Sequence, residues 1–202
     1  NFVTFFGAKN IFNFREFFFG DIRISLKYLQ YLADDLIGYV KPILGLTKKC
    51  IVLDLDNTLW GGIIGEDGYE GIKLGNYPLG RSFVEFQKIL LSLNQRGIIL
   101  AINSKNNYDD AIKVIKEHPD MILKEENFAS IMINWNDKVS NLKEIANELN
   151  IGLDSMIFVD DDPVNRELVK LVLPEVLTID LSTDPSTYAS TIMSLNDLNL
   201  LR

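Results

Sequence analysis

At 202 residues, with 47% hydrophobic and 24% charged side chains, the chain has room for one domain plus an extension and the composition to bury a core, which excludes general disorder. A net charge of −8 argues against a nucleic-acid binder, which would carry a basic patch, and suits a cytoplasmic enzyme or a surface meeting a basic partner. The single Cys50 excludes an internal disulfide and a cysteine zinc site, the single His118 excludes a histidine-rich metal site, and no stretch approaches the ~18 uncharged apolar residues of a membrane span.

The first 24 residues are rich in phenylalanine but have no clear period, and read as an irregular or short-helical lead-in. Lys9, Arg15, Glu16 and Asp21 interrupt the aromatics, so the segment is not a signal peptide. Because residue 1 is not methionine, the chain is expected to be a fragment of something longer, with those aromatics packing on a missing neighbour. Leu26, Leu29, Leu32, Ala33, Leu36, Ile37 and Val40 recur at helical spacing, predicting an amphipathic helix over about 25–40 that stops near Pro42 and Gly45. These segments are expected to form an extension, 1–46, ahead of the main domain, 47–202.

Ile51 to Leu53 is an apolar run without polar alternation, the pattern of a fully buried parallel strand. Asp54 and Asp56 follow at its exit. The glycine-rich stretch from Trp60 to Gly75 predicts a hairpin or flap able to fold over those carboxylates. A helix over 79–96 closes at Gly97, and a second strand over 98–103 leads to Ser104-Lys105-Asn106-Asn107, where either asparagine can cap the helix running to Glu117. His118, before Pro119, reads as a surface cap. A third strand over 130–134 leads to Trp135, Lys138 and an amphipathic helix. The fourth, 156–160, ends in Asp160-Asp161-Asp162-Pro163, with Asp162 as cap and Pro163 in the first turn of the next helix. A fifth strand over 176–179 and a helix over 182–195 complete the chain. Strands alternating with helices make an α/β fold, a parallel Rossmann-like sheet with helices on both faces. The spacing between strands leaves room for a small flap and no large cap domain.

Open α/β sheets bind ligands beyond the carboxyl ends of their strands. If the four strands are neighbours, Asp54, Asp56, Ser104, Lys138, Asp160 and Asp161 converge on one crevice. Three to four negative charges against one lysine require a divalent cation before a phosphate dianion can enter. An all-oxygen ligand set points to a hard ion, Mg²⁺. One carboxylate can then attack phosphorus to give an aspartyl phosphate, while the second protonates the leaving oxygen and later activates water. Ser104 and the N–H groups after it can hold phosphoryl oxygens, and Lys138, or less readily Lys105, can neutralise developing charge. The bland readings are that the Asp pair caps a turn and that Ser104 caps a helix. Cys50 lies about 13 Å along the strand from Asp54, at the wrong end of the sheet to carry an acyl group, and reads as structural.

Asp54-Leu-Asp56-Asn-Thr58, Ser104, Lys138 and Asp160-Asp161 resemble, in order, the four motifs of the haloacid dehalogenase (HAD) superfamily over about residues 47–180. The wording around them, from Lys49 to Gly68, at Asn103-Ser-Lys-Asn and at Phe158-Val-Asp-Asp-Asp-Pro, is similar to the FkbH-like branch, subfamily IIIC. The resemblance implies Asp54 as nucleophile, Asp56 as acid/base, and Mg²⁺ held by Asp54, the Asp56 carbonyl and Asp161, with Asp160 beside them. It also implies dephosphorylation of a glycerate acyl phosphate, a phosphorylated small molecule, with the glyceryl unit delivered to an acyl carrier protein thiol. The family's usual residue at 162 is Asn, so Asp162 adds charge near the metal. Two rivals stand beside this reading: a phosphoacceptor receiver-like domain, whose acceptor lies on a later strand than its acid pair, and a catalytically idle binding module.

Overall fold

Ile51 to Leu53 lacks polar alternation because both faces of its strand are covered. In the computed structural model, which describes residues 2–198, every residue of β1 (Cys50–Leu53) is buried. Two compact units divide the chain, one ending at Thr47 and one spanning Lys48–Leu198.

The first unit carries the helices α1 (Phe2–Phe6), α2 (Ala8–Ile11), α3 (Phe14–Gly20) and α4 (Leu29–Ile43). The lead-in is therefore a series of short helices, with Asn13 capping α3 by accepting from the N–H groups of Arg15 and Glu16. α4 ends at Ile43, between Pro42 and Gly45 as expected, with Gly45 in left-handed backbone (φ 70°) just beyond it and Pro42 inside its last turn. There its missing N–H costs one hydrogen bond and the helix is about to end. Phe6 rests its ring against Tyr28 and Tyr31, whereas Phe14, Phe18 and Phe19 are exposed.

The second unit continues from β1 through the short α5 (Ile64–Asp67), α6 (Gly80–Gln95), β2 (Ile99–Ser104), α7 (Tyr108–Glu117), β3 (Phe128–Ile133), α8 (Lys138–Glu148), β4 (Met156–Asp160), α9 (Pro163–Val172), β5 (Leu177–Asp180) and α10 (Tyr188–Met193). All five strands are parallel in the order β3-β2-β1-β4-β5. Order reverses between β1 and β4, so the crevice at their carboxyl ends is the switch point of the sheet. Val52 lies level with Ala101 on one side and Phe158 on the other. On that face Cys50, Val52 and Phe158 share a core with Val139, Leu142 and Ile145 of α8 and Val169 of α9. The opposite face is served by α6 and α10, whose Phe86 and Tyr188 meet edge to face.

Between β1 and α6 the glycine-rich stretch is a flap with no large cap domain. Gly61 and Lys73 pair antiparallel at its base, and the single turn of α5 lies inside it. A Cβ at Gly61 would come within 2.8 Å of the Phe83 ring, so only glycine lets the flap base lie against α6. Gln87 of α6, fully buried, holds two loops at once. Its Nε2 donates to the Leu59 carbonyl (2.7 Å), and its Oε1 accepts from the N–H groups of Ile122 (2.9 Å) and Leu123 (3.1 Å). His118 ends α7 as expected, but it is only 9% exposed, with Nδ1 accepting from the Asp120 N–H (3.2 Å). It is a buried cap rather than a surface one, because Tyr69 of the flap lays its ring against it.

Candidate active site

The exits of β1, β2, β3 and β4 bring their polar side chains to the switch point. Lys138, 2% exposed, is the first residue of α8, and Asp137 caps that helix by accepting from the Ser140 N–H. Its ammonium donates to Asp54 Oδ1 (2.6 Å) and to the Asn103 carbonyl (2.6 Å), and pairs with Asp160 Oδ2 (3.1 Å). Asn103, at the end of β2, completes the clamp by donating to the Lys138 carbonyl (2.9 Å) and accepting from Asn141 (3.0 Å). Burial pulls the Lys138 ammonium down, but Asp54 and Asp160 outweigh it and hold the group above its ordinary value.

Asp54, Asp160 and Asp161 form an acidic cluster whose ligand oxygens all lie within 4.8 Å of one another. Asp160 is anchored by the Asp162 N–H (2.9 Å) and by Asn165, and burial, with Asp54 beside it, pushes its carboxyl up. Burial first, then the charges of Asp54 and Asp160, push Asp161 up to about 7. Asp162 caps α9 by accepting from the Val164 N–H (2.8 Å), and Arg166 ties the β4 exit by donating to the carbonyls of Asp160 and Asp161.

The carboxylate of Asp56 stands outside that cluster. Its Oδ1 accepts from Trp60 Nε1 (2.9 Å) and the Ile64 N–H (3.1 Å), and its Oδ2 accepts from Asn106 Nδ2 (3.0 Å). Burial raises the Asp56 carboxyl, and these three donors offset only part of that rise. The first Asp of the pair thus faces the lysine and the acids, and the second faces neutral donors. Left-handed backbone at Asn57 (φ 52°) follows the pair in the turn after β1, and the Asn57 side chain accepts from the Gly62 N–H (2.8 Å).

Ser104 is buried and accepts from Asn106 (3.1 Å). Asn107, not Asn106, occupies the cap position of α7, and its side chain accepts no capping bond there. Lys105 is exposed, whereas Lys138 takes the ion pairs. The two tryptophans part company: Trp60 is fully buried on Asp56, and Trp135 is 72% exposed. Burial pushes the Cys50 thiol up to about 12, which leaves it an inert core group. Beside Asp161 lies a cavity of about 270 Å³ bounded by Asn57, Phe83, Arg166, Ser182 and Tyr188.

Asn103, Asn106 and Trp60, which lie inside the quoted motifs without a role of their own at the site, and Asn141 and Asn165, which lie outside them, are the residues that build the site around the charges. Their signal in the sequence is faint: an amide or indole a few residues from each acid, which reads equally well as a loop.

An open parallel sheet whose first strand delivers an Asp-x-Asp pair, with Ser, Lys and paired Asp at the other exits, is the arrangement of the HAD superfamily, and this chain has that fold. No protein-family model and no curated protein matches the chain. Among solved structures it is similar to the N-terminal part of a Bacteroides fragilis protein, described as containing a phosphatase domain and complexed with Mg, at 37% identity and a TM-score of 0.87. The likeness covers 99% of this chain and 53% of the other, so the chain spans about half the length of that relative. Looser likenesses are to a 3-deoxy-D-manno-octulosonate 8-phosphate phosphatase from Moraxella catarrhalis (20% identity, 80% of this chain, 94% of the other, TM-score 0.47) and to an HAD family enzyme from Bacteroides thetaiotaomicron (15%, 67%, 95%, 0.46). These two carry nothing further.

Proposed function

We propose that this chain is a Mg²⁺-dependent phosphatase or phosphotransferase of the HAD superfamily, working through a phosphorylated Asp54. The observation that carries the reading is the division of labour at the switch point. Asp54 pairs with Lys138 inside an acidic cluster, while Asp56, two residues on, is held apart by neutral donors. The Bacteroides fragilis relative, described as a phosphatase domain with Mg, supports it.

The donor set fits the ion. Three carboxylates within 4.8 Å, with only oxygen ligands and one ammonium among them, suit a hard divalent cation. Asp54, Asp161 and Asp160, with the main-chain carbonyl of Asp56, are the residues that would hold it. When bound, such an ion offsets the charge of a phosphate dianion and polarises its oxygens.

Asp54 Oδ attacks phosphorus, an Asp54–phosphorus bond forms, and the bond to the leaving oxygen breaks as that oxygen takes the proton of Asp56. Water then attacks the phosphorus, gives its proton to Asp56, and breaks the Asp54–phosphorus bond to release inorganic phosphate. Ser104 holds a phosphoryl oxygen throughout. Lys138, with Lys105 as a secondary contact from outside, balances the charge that develops.

The finer reading is FkbH-like. The substrate is a glycerate acyl phosphate in the cytoplasm. On the transfer branch a carrier-protein thiol attacks its acyl carbon, the acyl carbon–oxygen bond breaks, inorganic phosphate leaves and takes up the thiol proton, and Asp54 is not phosphorylated. What supports it is the run of residues after Asp54 and the small flap without a cap, which leaves the crevice open to a tethered partner. Residues 47–202 form the catalytic domain of this proposal and 1–46 its extension. The receiver-like alternative would carry the strand order 2-1-3-4-5, whereas this sheet runs 3-2-1-4-5.

The test is turnover of an aryl phosphate with Mg²⁺, repeated with Asp54→Asn and with a chelator. We expect both to abolish it, and turnover that survives Asp54→Asn would overturn the reading. A mass gain on a phosphopantetheinylated carrier protein mixed with the chain and the glycerate acyl phosphate tests the transfer, and no gain leaves a plain phosphatase.

A further inference from the structure

Both oxygens of Asp56 are occupied, and by two different parts of the chain. Oδ1 is held from the flap side by Trp60 Nε1 and the Ile64 N–H; Oδ2 is held by Asn106, from the loop after β2. The same Asn106 nitrogen donates to Ser104 Oγ at 3.1 Å. A primary amide carries two hydrogens, so one serves Asp56 and one serves Ser104. Asn106 is itself buried, as are Trp60 and Ser104, and Asp56 is half-buried, so the donors that fix it sit out of bulk water.

We propose that Asn106 is a positioning residue for both halves of the chemistry, and that Trp60 is its counterpart for Asp56 alone. This rests on the phosphatase reading above. A carboxyl group that must hand a proton to a departing oxygen has to lie within hydrogen-bond reach of it, and two fixed oxygens leave its plane no freedom to swing. Ser104 is set at the same stroke. With an N–H donated to one lone pair, its own hydroxyl hydrogen is left to give to a phosphoryl oxygen. Asn106 therefore links the protonation of the leaving group to the seating of the phosphate, across the exits of β1 and β2. A residue that merely tied the two loops together would do so without regard to which substrate is bound.

That difference is measurable through the leaving group. A nitrophenolate departs without help, and an alkoxide needs the proton of Asp56. With Mg²⁺ present, kcat/KM is measured for p-nitrophenyl phosphate and for a simple alkyl phosphate, together with competitive inhibition by inorganic phosphate. Since general-acid help is worth ~10²–10⁴-fold, Asn106→Ala should lose roughly tenfold or more beyond its aryl loss on the alkyl substrate, and should bind inorganic phosphate more weakly. Trp60→Phe, which keeps an aromatic side chain and removes the donor, should show the same alkyl-selective loss with phosphate inhibition unchanged. In an Asp56→Asn background the alkyl-selective loss from Asn106→Ala should vanish. Equal losses on both substrates, in a variant that melts as wild type does, would overturn the proposal while leaving the phosphatase reading in place. A wild-type protein that turns over neither phosphate would instead strike the phosphatase reading itself. Should Asn106→Ala fail to fold, Asn106→Leu, close in volume and without the amide hydrogens, carries the same test.

Discussion

Replacing Lys138 with methionine keeps an unbranched buried side chain, one atom shorter, and removes its charge. In the intact protein the ammonium, 2% exposed, meets Asp54 at 2.6 Å and Asp160 at 3.1 Å, and donates to the Asn103 carbonyl. Removing one partner of a buried ion pair costs about 3–5 kcal/mol, because the carboxylates left behind have neither water nor a counter-ion. Here two carboxylates are stranded, and they face each other. For a chain of this size that is roughly 6–20 °C in Tm at ~2–4 °C per kcal/mol. The assay is denaturant unfolding of wild type and Lys138→Met in a chelating buffer at pH 7.5, with the Asp54→Asn double variant completing a cycle. The double variant should be less destabilised than the sum of the two singles, since Asp54→Asn removes one of the stranded charges. Mg²⁺ should narrow the gap between Lys138→Met and wild type, by replacing part of the lost positive charge. Activity should fall about 10²–10³-fold, the scale of losing one group that stabilises transition-state charge. A Lys138→Met protein within about 0.5 kcal/mol of wild type without metal would refute the reasoning, because that is the range of a surface substitution.

Asp161→Asn should raise the Mg²⁺ concentration needed for half-maximal turnover by at least the ~10- to 100-fold that losing an outer-shell partner costs, as read from a metal titration. Gln87→Leu leaves the Leu59 carbonyl and the N–H groups of Ile122 and Leu123 without their buried partner, so unfolding measurements should show a loss of about 3 kcal/mol or more. Burial lowers the His118 value below its ordinary one, so the unfolded chain binds the extra proton first. Its contribution to stability is present above the unfolded value of about 6.5 and is lost as pH falls through the folded one. His118→Asn should therefore differ most from wild type near pH 7.5, and the gap should close toward pH 5.

The fold was legible because the apolar runs left little choice. Ile51 to Leu53 and Met156 to Val159 have no polar residue to place outward, so only a sheet covered on both faces can hold them. The helices fell within a few residues of their predicted spans for a related reason: Phe83, Phe86 and Leu90 repeat at a spacing only a buried helix face uses. Where local rules compete, the sequence was a weaker guide. α4 runs through Pro42 to Ile43 rather than ending at about 40, since a proline in the last turn forfeits only one hydrogen bond and Gly45 ends the helix just beyond. The stretch from Ser182 was expected to be one helix, but Pro185 with the Asp184 cap diverts its start into a single 3-10 turn, and α10 begins only at Tyr188.

At the site the divide is between charge and its support. Asp54, Lys138, Asp160 and Asp161 announce themselves because a carboxylate or ammonium at the end of a buried strand has no structural excuse unless an opposite charge is near. The neutral residues that aim them have such an excuse everywhere. Asn106 in Ser-Lys-Asn-Asn is indistinguishable from a helix cap until the β1 and β2 exits are brought together, fifty residues of chain being closed by one 3.0 Å bond to Asp56. The same holds for Trp60, fully buried, which gives its one N–H to Asp56. Motifs thus mark where charge must be handled. The partners that set its direction come from topology, through the reversal of strand order between β1 and β4 that lets four exits face one crevice.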